Sequence, residues 1–153
     1  MLLQAAREAH ENNHWLGYHA YFTANRNRPT PSYLAQHWDY HAGRWMRWDD
    51  VFRAAGVYPR YYLGEGGIVF AKDAAGTDFS SGQGWKSCGP FSYYIDLLAE
   101  FNARVLAWNA QHGNRCRGMT VFTYGSDGPA SQWWDFDWEQ PDLMALRNWA
   151  AAL

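Results

Sequence analysis

The chain has 153 residues, enough for one domain with a hydrophobic core of ordinary size, and we expect residues 1–153 to form a single domain. A net charge of −2 gives no basic surface of the kind that binds nucleic acid or anionic lipid. No apolar run approaches the roughly 20 residues of a membrane-spanning helix, and the N-terminus lacks a signal-peptide pattern.

Hydrophobic periodicity predicts helices and strands in strict alternation. The helices show apolar residues at three- and four-residue spacing, and the strands are short runs of aromatic and β-branched residues. Gly56 and Gly113 are expected to end two helices, and Pro90 to begin one. In chain order the predicted elements are helix 1–12, strand 15–22, helix 44–55, strand 59–64, helix 90–111, strand 118–124 and helix 141–152.

The connections between these elements are asymmetric. Each strand-to-helix loop is long and rich in Trp, Asp, Gly and Ser, whereas each helix-to-strand link is short. One of the long loops, about 23–42, is expected to contain a short helical turn near 32–38. The alternation predicts parallel strands joined by crossover helices, a fold class in which functional residues lie at the C-terminal strand ends. No Gly-rich phosphate-binding motif follows any strand, which argues against a nucleotide-binding fold.

A single carboxylate, Glu65, stands at the end of the second predicted strand, with glycines on both sides in Leu63-Gly64-Glu65-Gly66-Gly67. Glycine permits a sharp turn and the close approach of a ligand. The carboxylate would then lie at the rim of a pocket, where a low-dielectric wall can shift its pKa. The alternative is a strand end at which an exposed Glu begins a loop over 65–89.

Aromatic residues make up 18% of the chain, and many stand in polar, Gly-rich segments rather than at periodic core positions. Sugar rings present flat C–H faces that stack on aromatic side chains, so this distribution indicates a carbohydrate site. The alternative is that the rings, chiefly those on helices, simply bury apolar area. The rings in question include Trp38, Tyr40, Trp45, Trp48, Trp85, Trp133, Trp134 and Trp138.

Two cysteines, Cys88 and Cys116, lie on either side of the predicted helix 90–111. That helix would span roughly 33 Å, far more than the roughly 7 Å that a disulfide permits between Cα atoms. We therefore expect two free thiols. His37 and His41 have the spacing of two ligands on a helix, but no His-Glu-x-x-His pattern accompanies them, and we expect neither a metal nor a cofactor.

Three strand ends carry a family resemblance: His19-Ala20-Tyr21 on the first, Glu65 on the second, and the run from Thr120 to Gly125, which includes Tyr124, on the third. In this order and spacing the chain resembles the last three strands of the barrel in clan-A retaining glycoside hydrolases, which include family five cellulases and related β-glycosidases. The resemblance implies an α/β fold: a partial (β/α)8, or TIM-type, barrel of about three parallel strands with flanking helices.

The resemblance also implies roles for individual residues. Glu65 would be the nucleophile that attacks the anomeric carbon, and Tyr21, or less directly His19, would hydrogen-bond and orient that carboxylate. Tyr124 stands where the family commonly has an aromatic platform beneath the sugar. The candidates for substrate binding are Tyr124, Trp133, Trp134, Trp138 and Trp85.

The chain departs from the family in two respects. A retaining glycosidase needs two carboxyl groups about 5–5.5 Å apart; in this family the acid/base Glu follows an Asn, and no Asn-Glu pair occurs here. A complete barrel takes about 250 residues and eight strands. We therefore expect either the C-terminal portion of a larger enzyme or an independent part-barrel. Because a three-stranded section exposes strand edges and an apolar inner face, it should self-associate or pair with a missing N-terminal portion.

Three functions remain open at this point. The first is a glycoside hydrolase domain that is inactive alone unless Asp127, Asp135, Asp137 or a second chain supplies the proton. The second is a non-catalytic carbohydrate-binding domain, in which exposed Trp and Tyr hold the glycan and Glu65 only accepts hydrogen bonds. The third is a protein-interaction domain whose Trp-rich loops form the interface.

Overall fold

A computed structural model of the protein describes residues 1–25, 38–40, 42–72, 78–79, 85–87, 89–121 and 140–153. The helices and strands are α1 Leu2–Glu11, β1 Trp15–Asn25, α2 Arg44–Ala54, β2 Arg60–Lys72, β3 Asp78–Phe79, α3 Phe91–His112, β4 Cys116–Val121 and α4 Gln140–Ala150. Short 3-10 turns lie at Trp38–Tyr40 and Trp85–Ser87. None of these described helices is long and apolar enough to cross a membrane.

Helices and strands alternate as predicted, except that the two-residue β3 follows β2 directly in the order of strands and helices, and the helix ends agree with the prediction within two residues. Gly113 caps α3 in the left-handed conformation, and Pro90 stands directly before its first residue. The strand predicted over 59–64 is too short, because β2 continues to Lys72 through residues expected to be loop. Pairing with β1 along this whole length stabilises the extended backbone, and it overrides the weak strand preference of the glycines.

The sheet is built around β2. β1 runs parallel to it from Trp15 to Asn25 on one side, and β4 runs parallel to its first half on the other. The two-residue β3 pairs antiparallel with the last two residues of β2. The predicted fold class is therefore confirmed at a coarse level: this is a mixed α/β protein with three parallel strands and flanking helices.

The described helices pack against one face of the sheet. Tyr61 and Leu63 of β2 point into this layer and are fully buried, and Leu16 and Tyr18 of β1 pack beside them. The strand residues that alternate with these point to the opposite face of the sheet, which no described helix covers. We call this the open face; it carries Trp15, Gly17, His19 and Tyr21 of β1, Arg60, Tyr62 and Glu65 of β2, and Arg117 and Thr120 of β4.

A buried ionic cluster joins the helix layer to the N-terminal ends of β2 and β4. Asp49 of α2 is fully buried and accepts two hydrogen bonds from Arg115, at 2.8 and 2.7 Å. It also accepts one from Arg53 and one from the hydroxyl of Tyr61, each at 2.9 Å. Burial, reinforced by the Asp49 carboxylate, raises the pKa of Tyr61, so its hydroxyl remains a donor. Arg115 also donates to the carbonyl of Pro59, which ties the start of β2 to the start of β4.

The cysteine prediction is confirmed for Cys116, which is a free, buried thiol; Cys88 lies outside the described residues. Burial raises the pKa of the Cys116 thiol, so it stays protonated at neutral pH. The Asn109 side chain makes two hydrogen bonds with the backbone of Cys116. Its Oδ1 accepts from the N–H at 2.9 Å, and its Nδ2 donates to the carbonyl at 2.8 Å. This pair of bonds positions the beginning of β4 against α3.

Candidate functional site

A β-bulge at Gly64 sets the direction of Glu65. Along β1, Tyr18 pairs with Leu63 and the next residue, His19, pairs with Glu65, so Gly64 is an extra residue in β2. The pairing with β4 shows the same extra residue, because the three-residue step from Leu63 to Gly66 faces only two residues of β4. The pairing of β2 with both neighbouring strands thus places the bulge in the same stretch of β2.

The bulge reverses which residues of β2 face the helices. Before it, Tyr61 and Leu63 are buried in the helix layer; after it, Ile68 is. If β2 kept Gly64 but alternated regularly through it, Glu65 would continue the series of Tyr61 and Leu63 and would point into the apolar layer. The bulge instead turns the carboxylate to the open face, where its side chain is 40% exposed.

The glycines around Glu65 serve the packing of the sheet. A Cβ atom at Gly66 would lie 1.7 Å from Met119 Sδ, so the absence of a side chain makes room for Met119 of β4. The expectation that these glycines end the strand in a sharp turn is wrong, since β2 continues seven residues beyond Glu65. Glu65 nevertheless lies level with the end of the described part of β4, because the next residue, Gly66, pairs with Val121.

The structure brings together the three residues that carry the family resemblance on the first two strands. The hydroxyl of Tyr21 donates a hydrogen bond to Glu65 Oε2. His19 Nδ1 lies 3.7 Å from the same oxygen, and its ring meets the Tyr21 ring edge-on with centroids 5.9 Å apart. Burial, with a further contribution from the bond to Glu65 and its charge, raises the pKa of Tyr21. The phenol therefore stays protonated and donates to the carboxylate at neutral pH.

Tyr62 lies on the open face and was not among the site residues predicted from the sequence. It pairs with Gly17 across the strands, is half-exposed, and its hydroxyl hydrogen-bonds Thr120 Oγ1. The signal was present in the sequence: in a strand, two adjacent aromatic residues such as Tyr61 and Tyr62 must face opposite sides. Tyr62 is thus an aromatic surface beside Glu65.

Trp85, expected to bind substrate, lies in the core and is only 6% exposed. Its ring is parallel to that of Tyr94, with centroids 5.8 Å apart, and meets Phe91 edge-on. This position does not support a role as a sugar platform, because both neighbours belong to the α3 layer. Further candidate residues lie outside the described part of the chain: Tyr124, Trp133, Trp134, Trp138, Asp127, Asp135, Asp137, His37 and His41.

Glu65 stands apart from the other acidic residues. The remaining carboxyl groups with described side chains lie on helices or on the Trp38–Tyr40 turn, so none of them is on the open face. Among the described residues, no group of three or more His, Cys, Asp and Glu could hold a metal ion. The described part of the site is therefore one carboxylate with a tyrosine, a histidine and an adjacent aromatic surface.

Comparisons of the chain with protein-family models, with curated proteins and with solved structures found no match. The resemblance to glycoside hydrolases therefore rests on the residues at the strand ends, and a function must be inferred from the geometry of the open face.

Proposed function

We propose that this chain is a glycoside-hydrolase-like domain in which Glu65 is the nucleophile of retaining O-glycosyl hydrolysis. The observation that carries the proposal is the hydrogen bond from the Tyr21 hydroxyl to Glu65 Oε2 on the open face of a parallel sheet. A nucleophilic carboxylate must be ionised, aimed and accessible. Tyr21 stabilises its charge and fixes its rotamer, and the bulge keeps it accessible.

The geometry leaves one carboxylate oxygen for the chemistry. Glu65 Oε1 accepts no hydrogen bond from the described residues, whereas Tyr21 and His19 both lie against Oε2. Oε1 would attack the anomeric carbon as the bond from that carbon to the leaving oxygen breaks, with the electron pair going to the leaving group. Water would then attack the anomeric carbon and break its bond to Glu65, which leaves as a carboxylate, while the group that had protonated the leaving oxygen takes up the proton lost by the water. The proton for a natural leaving group would come from Asp127, Asp135, Asp137 or a second chain.

The sheet would form a three-strand section of a (β/α)8 barrel. Two observations support this finer assignment: the parallel strands stand side by side in chain order, and the described helices cover one face only. A doubly-wound sheet would carry helices on both faces. In a barrel the helices form an outer ring. The open face would then correspond to the inner surface of the barrel.

Strand edges provide the place for a partner. Within the described residues, β1 and β4 each pair with β2 alone, so each presents one free edge to another strand. We expect self-association through these edges, or pairing with an N-terminal barrel portion. A dilution series by light scattering should give a mass above the 17.7 kDa of one chain that falls as the protein is diluted. A mass of one chain at every concentration would exclude self-association.

Covalent labelling provides a direct test of the nucleophile. Activated 2-fluoro glycosides lose their leaving group without a general acid, so labelling does not need the missing carboxyl group. A panel of gluco-, galacto-, manno- and xylo-configured reagents should add one sugar mass to the peptide that contains Glu65. Glu65→Gln should abolish the label. Tyr21→Phe should slow labelling by about 10- to 100-fold, since a hydrogen bond to a charged group contributes about 1.5–3 kcal/mol.

The matched control is Glu11→Gln, which neutralises an exposed carboxylate on α1 and should label at the wild-type rate. Labelling that persists in Glu65→Gln would contradict the proposed role. The alternative, a non-catalytic carbohydrate-binding domain, is favoured by the presence of a single carboxylate on the described part of the open face. In that case the protein would bind oligosaccharides without releasing reducing ends and without any label on Glu65.

A further inference from the structure

Two arginines meet at the end of the open face where the three parallel strands begin. Arg60 is the first residue of β2, and Arg117 is the second residue of β4. Their guanidinium carbons lie 4.4 and 5.9 Å from the centroid of the ring of Trp15, which is the first residue of β1. All three parallel strands thus contribute to one cluster, in which two positive charges lie beside a single indole.

Neither arginine has a carboxylate partner among the described residues. Arg60 donates to the carbonyl of Asn13, but its Nε is buried and finds no acceptor in the described part of the chain. Arg117 makes no hydrogen bond or ion pair with a described residue, and its guanidinium lies beside the indole. Glu65, the one carboxylate with a described side chain on this face, pairs with His19, which lies about 13 Å along β1 from its first residue. The described residues therefore leave two positive charges without a counter-charge.

A packed barrel interior makes such charges unfavourable. The proposed function makes the open face the inner surface of a barrel, and the interior of a (β/α)8 barrel is filled by side chains rather than by water. A charge that loses its water must be paired, because an uncompensated buried charge is strongly destabilising. Closing the barrel therefore requires that the added strands bring carboxylates to the level of Arg60 and Arg117.

A second copy of the chain would not bring carboxylates to that level. All strands of the barrel are parallel, so the strands of an added copy would begin at the same end. The copy would place its own Arg60 and Arg117 there, while its Glu65 would lie about 13 Å further along the strands. The positive charge at this end would double, and like charges that meet at an interface oppose association.

We propose that Arg60 and Arg117 select the partner that completes this sheet. They oppose pairing with a second copy of the chain, and they accept Asp or Glu carboxylates at the inward-facing strand starts of a barrel portion with a different sequence. The inference rests on the proposed function for the barrel arrangement, and it adds the sign and the place of the charge that the missing portion carries. Guanidinium groups suit this task because their planar forks match the two oxygens of a carboxylate.

Self-association of the whole chain tests the first half of the proposal. Salt screens like charges, so raising NaCl from about 50 to about 300 mM should tighten self-association measured by light scattering. Arg117→Gln should tighten it about tenfold at low salt, and the salt effect should be smaller in this variant. The substitution changes the net charge from −2 to −3, so repulsion between whole chains would change the affinity in the opposite direction. The matched control is Arg7→Gln, which removes an exposed guanidinium from α1 and should not tighten self-association.

A copy with reversed charges serves as the acidic partner. The double variant Arg60→Glu/Arg117→Glu should bind the wild-type chain at least about tenfold more tightly than the wild type binds itself, and salt should weaken this mixed complex. Circular dichroism shows whether the double variant folds. If it does not, Arg117→Glu takes its place, because this variant keeps the contact of Arg60 with Asn13. It should still bind the wild type more tightly than the wild type binds itself.

Two results would overturn the proposal. One is self-association that Arg117→Gln weakens or leaves unchanged, because the arginines would then hold copies together or lie away from the interface. The other is a mixed complex no tighter than the complex of two wild-type chains. Labelling of Glu65 without these charge effects would leave the proposed nucleophile standing and remove the partner selection. Charge-dependent pairing without labelling would contradict the nucleophile and leave the partner selection standing.

Discussion

Replacing Asp49 with alanine is expected to lower the free energy of unfolding by about 3–5 kcal/mol, because it breaks a buried ion pair by removing one partner. Asp49 is fully buried, and Arg115, which donates to both of its oxygens, is nearly so. The variant would leave the Arg115 charge without its carboxylate partner, with only the carbonyls of Pro59 and His112 as acceptors, and would remove the acceptor of the Tyr61 hydroxyl. Small domains are stable by only about 5–15 kcal/mol. The loss would therefore remove a large part of the stability of the fold.

The neighbouring Asp50 is the control for this experiment. It lies on the same turn of α2 and pairs with Arg53, but its side chain is 66% exposed. Exposed ion pairs contribute about 0–1 kcal/mol, so Asp50→Ala should barely shift the midpoint of urea unfolding. If Asp49→Ala and Asp50→Ala unfold at the same urea concentration, the buried cluster does not stabilise the protein as described.

The two aspartates also show where prediction from sequence stops. Hydrophobic periodicity located the α2 helix within one residue, because apolar side chains mark its buried face. Helical spacing places Asp49, and not Asp50, on the face of α2 that buries Trp45 and Phe52, but it does not show what would pair with a buried carboxylate. The partner is Arg115, which follows in the sequence after 65 intervening residues and reaches Asp49 only in the folded sheet.

The candidate site, too, was predicted only in part, because contacts between distant residues decide some of its conformation. His19, Tyr21 and Glu65 were chosen as residues at the ends of adjacent parallel strands, and parallel pairing does bring them together. The sequence did not predict that β2 continues beyond Glu65, because Gly64, Gly66 and Gly67 are typical of a loop. Strand pairing on both sides of β2, and the space that Met119 needs, decide the conformation there. These are tertiary contacts.

The aromatic residues were likewise predicted in part: their number follows from the composition, but their exposure depends on the fold. Composition indicated an excess of rings, but exposure depends on which side of each element a ring faces. Trp85 packs against α3, whereas Tyr62 and Trp15 lie on the open face. Because successive residues of a strand face opposite sides, Tyr62 and Trp15 could have been assigned to the open face once their neighbours in the sequence were known to face the helices. No comparable rule was available for Trp85, because it belongs to a 3-10 turn of three residues.

Deletion of Gly64 is expected to leave Glu65 on the open face and to preserve its labelling. Regular alternation from Leu63 would then place Glu65 opposite His19, as in the wild type, and would keep Ile68 in the helix layer. Because no buried residue changes face, the free energy of unfolding avoids the cost of about 1.5–3 kcal/mol for exposing an isoleucine and the cost of several kcal/mol for burying a carboxylate. Urea unfolding and the labelling reaction measure the two effects separately.

Gly64→Ala is the control, because it keeps the number of residues and therefore the bulge. The added methyl group would lie 3.7 to 3.9 Å from the His19 and Tyr62 rings, an ordinary contact, so stability should change by less than about 1 kcal/mol. Labelling of Glu65 should continue in this variant. If the deletion variant loses the label while Gly64→Ala keeps it, Glu65 does not stay opposite His19 when the extra residue is removed. If both variants react, the sheet accommodates Gly64 as one additional residue, and the side that Glu65 faces follows from the alternation of β2 counted without it.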